Sequence, residues 1–230
     1  MNPLDLLTSF RRDVADVATP PLWSDAEVYE YMNWAIDQFC IGWGGFVDSS
    51  SSITKLRVVA GQAFAAFSTR ILKINAAFRV SDFAVIKVLN IQNMMREWIV
   101  DDYGFALRDV YDTKPGPIFA MITNMEPDKV RWVQVPVAND VVQLSVYRLA
   151  LDPITCAGKG TIEVADEFLR TILLGMKSQA YMKQDAETFD KSKAEDFETK
   201  FIQYVAQAKT VRDTRESKVR LVRYGGVGGI

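Results

Sequence analysis

The chain has 230 residues, of which 49% are hydrophobic and 24% are charged, and its formal net charge is −2. That length and that balance are typical of a soluble globular protein with one large domain or two small ones. The absence of histidine excludes Ser-His-Asp and Cys-His catalytic arrangements and removes the commonest metal ligand.

Two amphipathic helices are predicted at the N-terminus. The first covers residues 3–17, where apolar side chains recur three and four positions apart after an asparagine and a proline that suit a helix start. The second begins after Ser24, because Ser24-Asp25-Ala26-Glu27 has the pattern of a capping box, and Trp23 is placed to pack against Val28. Glycines between positions 42 and 45 predict the end of the second helix.

Between residues 53 and 151 the pattern changes to short β-like runs separated by turn residues. The candidate strands cover residues 55–60, 70–78, 85–91, 118–123, 129–135 and 141–149. About six short strands with frequent turns predict a small antiparallel sandwich or barrel.

Helical periodicity returns in the C-terminal part of the chain. Residues 161–183 and 191–212 carry apolar side chains at helical spacing, and a polar junction at 184–190 separates them. None of the four predicted helices has an apolar face wide enough to be stable alone, so the N-terminal and C-terminal pairs are expected to pack together. Residues 213–230 lose this periodicity and predict an extended arm.

These elements predict an α+β protein: a discontinuous four-helix bundle with an inserted antiparallel β module and an extended C-terminal arm. The predicted divisions are residues 1–50 and 155–212 for the two halves of the bundle, 51–154 for the β module and 213–230 for the arm. We expect no signal peptide and no membrane span, because no apolar run approaches the roughly 20 residues that a span needs.

Four features that resemble functional motifs are better explained structurally. Gly158-Lys159-Gly160-Thr161 lacks the spacing of a phosphate-binding loop, and the acidic residues at 101–102 and 185–190 lack that of a calcium loop. Cys40 and Cys156 are expected to be small apolar core residues. Most aromatic residues are in phase with a helix or strand and are expected in the core.

The C-terminal stretch has an unusual charge for this near-neutral chain. Six basic residues face only Asp213 and Glu216, and they are Lys209, Arg212, Arg215, Lys218, Arg220 and Arg223. Aliphatic residues at 219, 221 and 222 are interleaved with them, as in segments that add to a sheet or bind in a groove. The stretch is interpreted as an arm that docks on an acidic partner surface, while a solvated basic tail and a DNA-binding tail remain open.

Several stretches resemble phage proteins that join head to tail. Residues 10–16 (Phe-Arg-Arg-Asp-Val-Ala-Asp) and 20–28 (Pro-Pro-Leu-Trp-Ser-Asp-Ala-Glu-Val) resemble the opening of these proteins. Residues 144–149 (Leu-Ser-Val-Tyr-Arg-Leu) resemble the end of their inserted β module, and 180–190 resemble their helix–helix junction. In patches from about residue 8 to the end, the chain is similar to head-to-tail adaptor (connector or neck) proteins of tailed bacteriophages.

The resemblance implies a structural protein of the virion neck, between capsid portal and tail, that is not an enzyme and needs no cofactor or metal. Such adaptors form a ring, commonly of twelve copies, beneath the portal protein, and tail or stopper proteins attach below. DNA passes through the lumen without sequence-specific binding, and no membrane is involved. Before assembly the protein would be in the host cytoplasm. The residues expected to contact the portal are Arg215, Lys218, Arg220, Arg223 and Tyr224.

Two alternatives stay open. The β segment is large beside that of the smallest, mostly helical adaptors, so the chain is also compatible with a tail-side accessory or tail tubular structural protein. A carboxylate- or metal-dependent phage enzyme is the second alternative, which the spacing of the acidic residues disfavours.

Overall fold

Four helices form one layer of the part of the chain that is described. The computed structural model describes residues 2–92, 114–155, 159–185 and 187–216. The helices are α1 (Pro3–Asp13), α2 (Asp25–Trp43), α3 (Leu169–Met182) and α4 (Lys191–Glu216), and two short 3-10 turns lie at Ser52–Thr54 and Asp166–Phe168. The helices enclose a core whose largest fully buried side chains are Leu6, Phe10, Trp23, Met32, Phe39, Ile172 and Met176.

Both predicted N-terminal caps are confirmed. The Asn2 side chain accepts a hydrogen bond from the backbone of Leu4, and Ser24 and Glu27 form a reciprocal capping box. The first helix is shorter than predicted and ends at Asp13. Ala15 adopts a φ of 57°, which a helix cannot contain.

The last two helices also differ from the predicted ranges. α3 begins at Leu169 rather than at residue 161, because the segment before it is extended and buries Ile162 and Val164 in the helical core. Glu163, between them, points to the sheet and accepts a hydrogen bond from the backbone of Leu151 at 2.6 Å. α4 continues to Glu216, four residues into the segment predicted as the arm.

The second layer is a sheet of eight strands. Its members are β1 (Phe46–Asp48), β2 (Lys55–Val58), β3 (Phe64–Ala66), β4 (Ile71–Arg79), β5 (Val85–Asn90), β7 (Ala120–Glu126), β8 (Lys129–Val133) and β10 (Asp140–Arg148). The strand order is β1-β10-β4-β5-β7-β8-β3, and β2 also pairs with β10. The short strands β6 (Pro115–Gly116) and β9 (Val135–Pro136) form a separate parallel pair.

The prediction of a four-helix bundle with a small antiparallel β module is wrong. The described chain is a mixed α/β protein in which strands dominate, with four helices beside a large sheet that curls into a half-barrel. The sheet is not wholly antiparallel, because β5 and β7 run parallel. β1 and β3 have only three residues each, too few to give a periodic pattern in the sequence.

The sheet has a hydrophobic core of its own. Its buried members are Leu56, Val58, Ile71, Ala77, Ile86, Ile118, Met121, Val130, Trp132, Val142, Leu144 and Val146. A smaller group, which includes Leu89, Ile122 and Val133, lies elsewhere on β5, β7 and β8. Burial of a large apolar side chain contributes about 1.5–3 kcal/mol, so the sheet is a second centre of stability rather than an appendage of the helices.

An arginine at the start of β4 ties the sheet to the helices. The guanidinium of Arg70 donates to both carboxylate oxygens of Asp37 on α2, at 3.1 and 2.8 Å, and to the carbonyl of Ala150 at 2.6 Å. A bidentate arginine–carboxylate pair fixes orientation as well as distance. This contact therefore sets where β4 leaves the helical layer.

Candidate functional site

The described structure contains one of the five predicted portal-contact residues. Arg215 lies in the last turn of α4, its side chain is 70% exposed, and it forms an ion pair with Glu167 at 3.8 Å. Lys218, Arg220, Arg223 and Tyr224 lie outside the described residues. The candidate site is therefore the last turns of α4, residues 209–216, where the predicted arm would begin; we call these turns the root of the arm.

Arg212 holds the root of the arm in place. Its Nη1 donates to the carbonyl oxygens of Trp43 at 2.9 Å and of Gly45 at 3.1 Å. Its guanidinium carbon lies 4.9 Å from the ring centroid of Trp43 and 4.9 Å from that of Tyr147. A cation near two aromatic rings is held by their quadrupoles as well as by hydrogen bonds. Arg212 thus joins α4 to the end of α2 and to β10.

The glycines after α2 make room for this contact. Gly44 is the C-cap of α2 with a φ of 103°, a conformation that L side chains rarely adopt. A Cβ at Gly44 would come within 2.8 Å of Nη1 of Arg212. The N–H groups of Gly44 and Gly45 both donate to the carbonyl of Cys40, at 2.9 and 2.7 Å. The predicted end of α2 is confirmed. Because Gly44 has no side chain, the guanidinium of Arg212 can also approach this end of the helix.

A buried ion-pair cluster lies beside the arm root. Arg148, at the end of β10, donates through Nε to Oδ2 of Asp48 at 2.5 Å, and its Nη1 lies 2.8 Å from Oε2 of Glu163. Oδ1 of Asp48 accepts the backbone N–H groups of Ser50 at 2.9 Å and Ser51 at 3.1 Å. Arg148 and Asp48 are both more than nine-tenths buried. The cluster joins β1, β10 and the segment that leads to α3.

Hydrogen bonding outweighs burial in setting the charges of this cluster. Burial by itself would raise the pKa of Asp48, but hydrogen bonds from Ser51, Ser50 and Arg148 hold that pKa well below its usual value. Burial would lower the pKa of Arg148, and its bonds to Asp48 and Glu163 raise it instead. Asp48 and Arg148 are therefore an ionised pair at neutral pH.

The pH dependence of stability is expected to reflect Asp48. Its folded-state pKa lies below its unfolded value of about 3.9, so its stabilising effect is complete above that value and is lost as the pH falls through the folded-state pKa. We expect the difference in free energy of unfolding between wild type and Asp48→Asn to be constant from neutral pH to about pH 5 and to shrink below about pH 4. Urea denaturation at a series of pH values measures it. A difference that is the same at every pH would contradict the ionised pair.

Few other side chains in the described part of the chain could take part in catalysis or metal binding. Cys40 is buried in the helical core as predicted, and burial raises the pKa of its thiol to about 12, whereas Cys156 lies outside the described residues. No group of three or more His, Cys, Asp or Glu residues in the described ranges is placed to hold a metal ion. Among the same residues, none of the helices combines the length and apolarity needed to cross a bilayer.

Sequence reasoning missed Arg212, Arg148 and Asp48 as anchors of this region. Arg148 follows Val142, Leu144 and Val146 in the buried phase of β10. An arginine at a buried strand position needs a carboxylate partner, because an unpaired buried charge is costly. The position of Arg148 among the buried residues of β10 therefore indicates a buried ion pair. It does not indicate the partners, because they are far away in sequence.

Sequence comparisons assign this chain to no family. No model of a protein family matches the chain. A search of curated proteins likewise finds no significantly similar sequence.

Proposed function

We propose that this protein is a structural component of a phage virion: a ring-forming head-to-tail adaptor that docks under the portal through its C-terminal arm. In this role it provides a platform for tail attachment and a channel for DNA. The proposal is supported by the sequence stretches that resemble such adaptors and, in the fold, by the way Arg212 anchors the root of the arm.

The anchored root is the observation that carries the proposal. A basic segment attached to a fixed helix end starts from a defined place, so less orientational freedom is lost when it docks. Arg215 follows the anchor by three residues and is loosely held, because an exposed ion pair at 3.8 Å contributes at most about 1 kcal/mol. Its guanidinium is therefore available for bidentate contacts to carboxylates of a partner.

The overall charge suits a channel that conducts DNA. Affinity for DNA depends on lysines and arginines that neutralise phosphates, and this chain has 27 basic and 29 acidic residues. A ring of such subunits would let DNA pass without gripping it. Residues 209–223 carry six basic and two acidic residues, and the proposal assigns this stretch to the portal.

A tail tubular or tail-side accessory protein is the second candidate. The observation that favours it is the size of the sheet, whose eight strands exceed the small module expected of a mostly helical adaptor. Both candidates are structural proteins, and they differ in the partner that they bind.

Co-sedimentation with assembled portal rings from the same phage tests the proposal. We expect saturable binding near one chain per portal subunit, and loss of that binding when the chain is cut after Glu216, where α4 ends. Cutting there, rather than before Asp213, leaves the helix intact, and a thermal melt checks that the fold is kept.

A charge-matched comparison separates the arm from general electrostatic attraction. Replacing Arg220 and Arg223 by glutamine is expected to weaken portal binding. Replacing Lys191 and Lys193, at the other end of α4, by glutamine removes the same charge and is expected to leave portal binding unchanged. Undiminished binding by the shortened chain would refute the arm assignment. A folded full chain that binds tail components but not the portal would favour the second candidate.

A further inference from the structure

The tip of the β4–β5 hairpin exposes an apolar knob. Phe83 is 75% exposed, Val85 is 80% exposed and Val80 is 44% exposed. The ring of Phe83 stacks on that of Phe78, with centroids 6.3 Å apart and planes inclined by 23°. We call residues 78–85 the tip. Clustered exposed apolar side chains of this kind mark contact sites rather than ordinary surface.

Hydrogen bonds close the tip, which keeps an aromatic residue at a backbone conformation that suits other residue types better. Asp82 accepts two hydrogen bonds from Arg79, at 3.1 and 2.5 Å, and one from the backbone of Ala84 at 3.0 Å. These bonds hold Phe83 at a φ of 58°, in the left-handed region that favours glycine, asparagine and aspartate. A bulky side chain kept at a strained and exposed position points to a function.

An open groove with apolar walls lies in the helical layer, between α1, α3 and α4. Its volume is about 940 Å³, in the range of ligand-sized clefts. Its apolar lining consists of Leu6, Leu169, Leu173, Leu174 and Tyr204. Tyr204 of α4 is half-exposed there.

The tip and the groove cannot meet within one chain. β4 has nine residues and spans roughly 25–30 Å. Its first residue follows Arg70, which is bound to Asp37 on α2, and its last residue, Arg79, is at the tip. The strand thus holds the tip away from the helices, so that the tip does not cover the groove of its own chain.

The charges of the two surfaces have opposite sign. Within the tip, Asp82 and Arg79 balance each other, and Asp140 of the neighbouring strand, which accepts a 2.7 Å hydrogen bond from Ser81, adds a second carboxylate beside it. The groove is lined by four cationic side chains and three carboxylates. Of the cations, Arg170 makes no ion pair with the described residues, whereas Lys177 is paired with Asp13 at 2.7 Å.

We propose that the tip of one copy of this chain seats in the groove between α1, α3 and α4 of the next copy. This contact is heterologous, because two different surfaces of the same chain meet, and repeated contacts of this type close into a ring when the rotation per subunit permits. The inference rests on the ring-forming part of the proposed function and names the surfaces that make the ring.

Sedimentation velocity of the full chain over a concentration series tests the contact. Phe83→Asp removes the knob at a position where aspartate fits the backbone better, and Tyr204→Asp places a charge in the groove at an exposed site. Each is expected to raise the apparent dissociation constant of self-association by more than about tenfold. The matched controls are Val17→Asp, which is 81% exposed and outside the tip, and Ile202→Asp, on α4 but outside the groove.

Mixing the two variants distinguishes a heterologous contact from any other. Each variant alone lacks one half of the contact and stays monomeric. An equimolar mixture offers the tip of Tyr204→Asp to the groove of Phe83→Asp, so it forms heterodimers and nothing larger. A mixture that stays monomeric, a wild type that stays monomeric, or variants that associate like the wild type would overturn the proposal.

The portal assay keeps this test separate from the proposed function. If only Tyr204→Asp prevented self-association, the groove would bind another segment, such as residues 217–230, and the proposal would be wrong. Portal binding by the arm does not require the tip, so a wild type that binds the portal but does not self-associate would overturn this inference and leave the proposed function standing.

Discussion

Replacing Arg148 by methionine is expected to lower the free energy of unfolding by about 3–5 kcal/mol. The substitution keeps most of the side-chain volume but leaves Asp48 buried without its cationic partner. Glu163 loses the same partner, at 2.8 Å. Removing one member of a buried pair is costly because the other charge remains out of water.

Urea denaturation of the wild type and four variants (Arg148→Met, Asp48→Asn, the double variant and Lys129→Met) measures this effect. Lys129→Met removes an exposed pair with Glu126, so its effect is expected to stay within about 1 kcal/mol. The double variant Arg148→Met with Asp48→Asn is expected to be less destabilised than the sum of the two single variants, because it leaves no ionised Asp48. An effect of Arg148→Met no larger than that of Lys129→Met would contradict the buried cluster.

Replacing Trp23 by alanine is expected to lower the free energy of unfolding by about 3–5 kcal/mol. Trp23 is 2% exposed, and its ring makes edge contacts with Phe10 at 5.8 Å and Tyr181 at 5.9 Å. Its Nε1 donates to the carbonyl of Ala180 at 3.2 Å. The substitution therefore leaves a cavity between α1 and α3 and removes one of the two hydrogen bonds that the carbonyl of Ala180 accepts, the other coming from the backbone of Lys183 at 3.4 Å.

The substitution Trp23→Phe is the matched comparison for this prediction. Phenylalanine keeps an aromatic ring in the cavity, so its cost is expected to be clearly smaller than that of alanine. Thermal or urea unfolding followed by circular dichroism measures both. If alanine and phenylalanine lowered the free energy of unfolding equally, the surrounding residues would have to collapse around either side chain. That result would contradict the stabilising role of the packing around Trp23.

The position of Trp23 also explains the sequence stretch that resembles the phage adaptors. Trp23 is in the helical core, Ser24 caps α2, and Asp25 pairs with Arg11 of α1 at 2.5 Å. These residues join α1, α2 and α3 rather than form an exposed contact site. A likeness in this stretch therefore bears first on how the helices pack.

The sequence by itself determined the local features of this protein. The capping residues Asn2 and Ser24, the glycines that end α2 and the helical character of α4 follow from interactions between residues a few positions apart. The charge of the C-terminal segment and the positions of its basic residues are likewise read directly from the chain. Of the candidate site, the sequence by itself identified Arg215 and predicted the range of the arm.

Only the tertiary structure decided the size of the sheet and the anchors of the arm. β1 has three residues and forms because β10, about a hundred residues later, supplies its hydrogen-bond partners. The contacts of Arg148 with Asp48 and of Arg212 with Trp43 join residues that are 100 and 169 positions apart in sequence. Such pairings leave no local period, because each partner gains its stabilisation only when the whole fold brings the two together.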